Sequence, residues 1–239
     1  MTIQPLSERT AGSKTLDWRR IFPVFMIVST YAAGTAAVLP VLPFHIREMG
    51  GSPLVLGVVI AAEAVGQFAS APLLGQLSDR FGRRRILLLC QVVAAASLLL
   101  LALAPNVVVI LIARAMFGLT AGNIAVTGAY VADHTDTASR RQAMGILMGG
   151  AGVGGIIGAG LSGLLSETSL TAPVLAAFAL VLLAALITVL RLEDGRPLEL
   201  THERETSEKT SFGAILSSPA IRILVLVMLC HFFAYGTYM

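Results

Sequence analysis

Residues 75–85 read GQLSDRFGRRR, with four arginines, one aspartate and two glycines in eleven positions between two long apolar runs. A connection this short is no domain, so its charge has to serve the elements that flank it. Around it lies a chain of 239 residues that is 56% hydrophobic and 13% charged, where a soluble domain is about a quarter charged. That composition belongs to the membrane class. Crossing the hydrocarbon takes about 20 mostly apolar helical residues. Seven segments meet or approach that length: 21–43, 54–77, 86–104, 107–131, 144–165, 173–190 and 220–239. Residues 75–85 are then the turn of a hairpin between the second and third spans.

The basic residues orient the whole set. With the N-terminus inside, fifteen of the 17 lysines and arginines fall on the inner side, Arg47 alone lies in an outer connection, and Arg114 sits within a span. The arginines of 75–85 thus anchor a cytoplasmic hairpin at anionic headgroups. Residues 1–20 read as a retained cytoplasmic tail with no cleaved signal. Residues 191–219 carry six acidic residues and five that are basic or histidine. They read as a cytoplasmic linker, with an amphipathic helix expected around Phe212–Leu216. Segment 220–239 is the seventh span, and its stop at Met239 leads us to expect a truncated chain. The net charge of +3 is too small and scattered to argue for nucleic acid. Cys90 and Cys230 lie in apolar runs as small core residues, and the four histidines lack metal-ligand spacing. No catalytic or phosphate-cradling motif occurs, so neither an enzyme nor a cofactor is expected.

Anchoring alone explains neither the glycines nor the aspartate of 75–85. The stretch resembles the signature loop between the second and third helices of the major facilitator superfamily, through Gly75, Asp79, Arg80, Gly82, Arg83 and Arg84. RAMFGLTAG in the fourth span gives Arg114, Gly118 and Gly122, similar to that family's R-x3-G-x3-G pattern. GTAAVLPVLP in the first gives Gly34, Pro40 and Pro43, similar to its twelve-helix drug/proton antiporter branch. In the fifth, Gly145, Gly154, Gly158 and Gly163 occupy glycine places of the antiporter motif. Ala159 stands there for an expected proline, and Ser162 for the first of a glycine pair.

The resemblance implies an all-helical polytopic membrane protein. Its six-helix N-terminal bundle would be built from 3+3 inverted repeats, with a linker and a seventh helix after it. It implies a loop at 75–85 that latches two halves of a transporter, with Asp133 as a partner for Arg83 or Arg84. It ties Arg114 to proton transfer. A charge at that depth costs roughly 2.5–3.5 kcal/mol and faces a bundle interior, unless it snorkels to the outer end two turns away. Glu63 lies deeper, sharing one helical face with Gln67 and Ser70 at i+4 and i+7. It is a candidate proton carrier or a carboxyl fixed in packing. Thr120, Asn123, Thr127 and Tyr130 form a stripe for a substrate cavity or for helix bridging, and Tyr31 and Thr35 are weaker cavity candidates. The glycines of the fourth and fifth spans serve close helix packing.

The function implied is proton-coupled export of small amphipathic compounds by alternating access, with lipid, substrate and protons as partners. The alternatives are a facilitator or symporter importing another solute, and a non-transporting fragment or half-transporter completed by a missing C-terminal half or a second copy.

Overall fold

A computed structural model describes residues 18–192 of the chain. The tail, the linker from residue 193 with its expected amphipathic helix, and the seventh span lie outside the described residues. Without water in the hydrocarbon, a spanning backbone must satisfy its own polar groups, and apolar runs of this length do so as helices. Eight are described: α1 (Trp18–Val38), α2 (Leu42–Glu48), α3 (Pro53–Phe81), α4 (Arg83–Ala102), α5 (Val107–Leu119), α6 (Asn123–His134), α7 (Thr137–Leu165) and α8 (Ala172–Arg191). Taking α5 with α6 as one, six spans are long and apolar enough to cross a bilayer, matching the first six expected segments.

Two spans differ from the expectation. The first begins earlier, at Trp18, and ends at Val38 rather than at residue 43. Pro40 has no N–H to continue the ladder, Val41 bonds to Val38 O at 3.2 Å, and Pro43 lies in the first turn of the short helix α2. The fourth span is broken at residues 120–122. Thr120 and Ala121 donate to the carbonyls of Phe117 and Gly118, three residues back, and Gly122 N–H leaves the ladder to reach Ser70 Oγ at 3.0 Å. Tightening of this kind is the 3₁₀ way of interrupting a helix.

Packing obeys an exchange of halves. The first span lies against the fifth and sixth, and the fourth against the second and third. Swapping first for fourth, second for fifth and third for sixth maps these contacts onto one another, as inverted repeats require. Glycines make the two equivalent seams. A Cβ on Gly154 or Gly158 of α7 would overlap the backbone of Ser29 or Ala33 in α1. One on Gly118 or Gly122 would overlap that of Glu63 or Ser70 in α3. Gly145 and Gly163, expected in the same role, have no neighbouring atom within 4 Å of a Cβ among the described residues, because they lie on faces of α7 turned from α1. Gly150, not singled out from the sequence, takes the next place along the seam, against Phe25 and Ser29.

The core falls into two clusters. One, on the α2 side and here termed outer, gathers Val38, Leu42, Leu98, Ile110, Phe117 and Val181; the other, on the Gly82 side and here termed inner, gathers Val24, Leu87, Cys90, Val126, Tyr130 and Leu147. Between them the spans carry buried polar residues: Ser29, Glu63, Gln91, Asn123 and their neighbours.

Candidate functional site

The middle of the bundle holds an ion pair. Glu63 of α3 and Arg114 of α5 are 5% and 1% exposed, and Arg114 Nη2 donates to Glu63 Oε2. Gln67, one turn along α3, donates to Glu63 Oε1 at 3.3 Å, so both carboxylate oxygens are held. Arg114 therefore does not snorkel outward. Its guanidinium carbon stands 5.1 Å from the centre of the Phe117 ring, within the range of cation–π attraction. Phe117 is stacked in turn on Tyr31 of α1, with centroids 5.1 Å apart and planes 6° from parallel. Gly34 admits this stack: a Cβ there would come within 3.3 Å of Phe117.

The R-x3-G-x3-G spacing acquires a physical meaning here. Gly118 lies one turn beyond Arg114 and meets the backbone of Glu63, while Gly122 meets that of Ser70. Gly66 answers from α3, where a Cβ would stand 3.0 Å from Ala115 O. With both backbones this close, a glutamate and an arginine of neighbouring helices reach each other with no water between. Taking such a charge out of water costs several kcal/mol unless it is paired.

The expected cavity residues separate into two groups. Tyr31, Thr35 and Gln67 are half-buried beside the ion pair. Asn123 and Thr127 are buried with Thr120 and Tyr130 and do not line an open cavity in the described bundle. Thr127 Oγ1 bonds to Asn123 O at 2.9 Å and Thr120 Oγ1 to Phe117 O at 2.7 Å, both within their own span.

At the end of the bundle where Gly82 joins α3 to α4, Arg83 gathers three partners. It bonds Asp79 one turn back, Asp133 of α6 through Nε at 3.2 Å, and Ser78 Oγ. Arg84 instead donates to Val189 O at 2.8 Å, near the end of α8. Of the two arginines proposed for Asp133, Arg83 is the one that meets it. Gly82 joins α3 to α4 at φ 94° and ψ 141°, a region open in practice only to glycine. Asp79 and Arg80 are exposed, and Arg80 lies over Phe81. A Cβ on Gly75 would meet nothing within 4 Å among the described residues.

Sequence reasoning passed over Phe117, Gly66, Ser78 and Gln91. Gly66 lies between Glu63 and Gln67 on the charged face, and Gln91 interrupts the apolar run LLLCQVV. Those were the signals available. No group of three or more His, Cys, Asp or Glu side chains is placed to hold a metal among the described residues.

The described residues thus form a polytopic helical bundle with a buried ion pair inside it and a charged hairpin at one end. Residues 24–239 match the Major Facilitator Superfamily, and the chain belongs to that family. It is 39% identical to the class C tetracycline resistance protein of Escherichia coli over 153 residues, which is 63% of this chain and 39% of the relative. It is 30% identical to multidrug resistance protein 2 of Bacillus subtilis over 202 residues, covering 83% and 50%. It is 28% identical to the quinolone resistance protein NorA of Staphylococcus aureus over 178 residues, covering 74% and 46%. Among solved structures, the human organic anion transporter MFSD10 shares the fold, with TM-score 0.66 and 24% identity over 80% of this chain and 49% of that one. The chain thus spans about half the length, or less, of the relatives it matches.

Proposed function

We propose that the chain is the N-terminal six-helix unit of a proton-coupled exporter of small amphipathic compounds, together with its linker and seventh span. The observation that carries this reading is the buried Glu63–Arg114 pair. A buried carboxylate bonded to arginine has two alternatives, arginine or a proton. Protonation releases Arg114 and changes the charge balance of the site, and such differential stabilisation is what biases a two-state transporter. Residues 75–85 then act as the cytoplasmic latch, with Gly75, Asp79, Arg80, Gly82, Arg83, Arg84 and Asp133. Tyr31, Thr35 and Gln67 meet the substrate. Relatives named for tetracycline, quinolone and multidrug resistance support drug-like substrates.

Alternating access needs a second six-helix unit, supplied by the same polypeptide or by a second copy. We place the protein in the plasma or inner membrane with its N-terminus in the cytoplasm.

The test uses everted vesicles carrying the native-length protein, energised to an acid interior followed by a pH-sensitive dye, with a fluorescent lipophilic cation added outside as substrate. Addition of substrate is expected to release protons, and Glu63→Gln or Arg114→Ala to abolish the release. Proton movement in the same direction as the substrate would make the protein a symporter. Transport indifferent to an uncoupler would make it a facilitator.

A further inference from the structure

At and just outside the level at which the outer cluster gives way to the inner one, three spans carry polar side chains whose buried atoms lack a hydrogen-bond partner among the described residues. They are Ser29 Oγ in α1, both ends of the Gln91 amide in α4, Nε and Nη1 of Arg114 in α5, and Asn123 Oδ1 in α6. All four residues are at least nine-tenths buried. The position recurs on three of these helices, and Arg114 lies outside it among the outer cluster. Ser29 comes directly after Val28 of the inner cluster, Gln91 lies between Cys90 and Ala94, Asn123 lies between Phe117 and Val126, and Arg114 is one turn outside Phe117. Other hydroxyls at this level close onto their own helices: Thr30 on Met26 O, Thr120 on Phe117 O and Thr127 on Asn123 O. Unpartnered atoms so concentrated are the exception in native folds and usually meet ordered water.

Their chemistry narrows the ligand. The set offers donors, in Arg114 Nε and Nη1 and Gln91 Nε2, and acceptors, in Gln91 Oε1 and Asn123 Oδ1, while the Ser29 hydroxyl serves as either. An anion satisfies only the donors, and a cation only the acceptors. These residues are closely enclosed by their neighbours, which favours a small ligand at this level. Water matches both roles and the size.

We propose that this level is an internal hydrated layer, in which waters held by Ser29, Gln91 and Asn123 join Arg114 and carry the proton of Glu63 toward the inner side. This rests on the reading of Glu63 as the proton-binding group, whereas hydration itself is read independently of transport. The first measurement is hydroxyl-radical footprinting by X-ray radiolysis on the native-length protein in nanodiscs. Phe117 lies against Arg114 at the layer, and Tyr130 lies in the inner cluster; both are almost fully buried. Scaled to intrinsic reactivity, Phe117 is expected to be oxidised several-fold faster than Tyr130. Equal, low oxidation of both would overturn the hydrated layer.

The second measurement is proton release from vesicles. Gln91→Met and Asn123→Leu are expected to slow release roughly tenfold, about the effect of losing one positioned proton-transfer partner or more, with substrate binding unchanged. Unchanged release in both variants, each shown to be folded by retained substrate binding, would sink the proton route. Footprinting would still report on the water.

Discussion

Arg114 shows how one side chain organises the site. Its guanidinium meets a carboxylate at one nitrogen and an aromatic ring at its face, all within a 1% exposed position. Removing one member of a buried pair strands the other, which costs about 3–5 kcal/mol, whereas replacing both by apolar residues is often neutral or better. Arg114→Met is therefore expected to lower the thermal midpoint of the purified protein markedly, and Glu63→Met with Arg114→Met to recover most of it. Proton-coupled transport is expected to be lost in both. A double variant no more stable than the single one would mean that the pair is not what holds this seam. The sequence made both residues conspicuous, since charges within apolar runs need partners. It did not join them, because the partnership depends on which helices lie side by side. Phe117 was invisible for the opposite reason: one phenylalanine among apolar residues has no pattern to mark it, and only the ring stack on Tyr31 shows its use.

Glycine is what distinguishes one helix pair from another in this bundle. Gly118 and Gly128 both belong to the fourth span, yet a Cβ on Gly118 would collide with the backbone of Glu63, while one on Gly128 would meet only the Met144 methyl, at 3.7 Å. Gly118→Ala is expected to cost about 1–3 kcal/mol as overpacking, because backbone cannot swing aside. Gly128→Ala is expected to be tolerated or to add about 0.5–1 kcal/mol from helix propensity. Thermal unfolding of the two variants in the same detergent checks the contrast, and equal losses would refute it. Six spans were legible from apolar length alone. The glycine patterns pointed to close approach, but a three- or four-residue spacing fits more than one face, so Gly145 and Gly163 were grouped with Gly154 and Gly158. The break at residues 120–122 was hidden for a related reason. It depends on Ser70 of another helix capturing the Gly122 N–H, and hydropathy carries no trace of that bond.

For the molecule as a whole, orientation rests on the charge count, and it is directly measurable. After Cys90 and Cys230 are replaced by serine, a membrane-impermeant maleimide applied to intact cells is expected to label Ser52→Cys, in the connection before α3, and to spare Arg80→Cys. The reverse pattern would invert the topology. The exchange of halves that relates the first span's contacts to the fourth's was implied by family resemblance. The seam between α3 and α5 has a mechanical result. The backbones already touch at Gly118 and Gly66, so discharging Glu63 has no slack to take up by drawing the helices together. The two must turn as a single stiff rod. On the proposed coupling, the effect of a proton at Glu63 is expected to leave sideways, through the Phe117–Tyr31 stack into α1 or through Ser70 into the elbow of the fourth span. Motion is then steered by which of those two exits yields first.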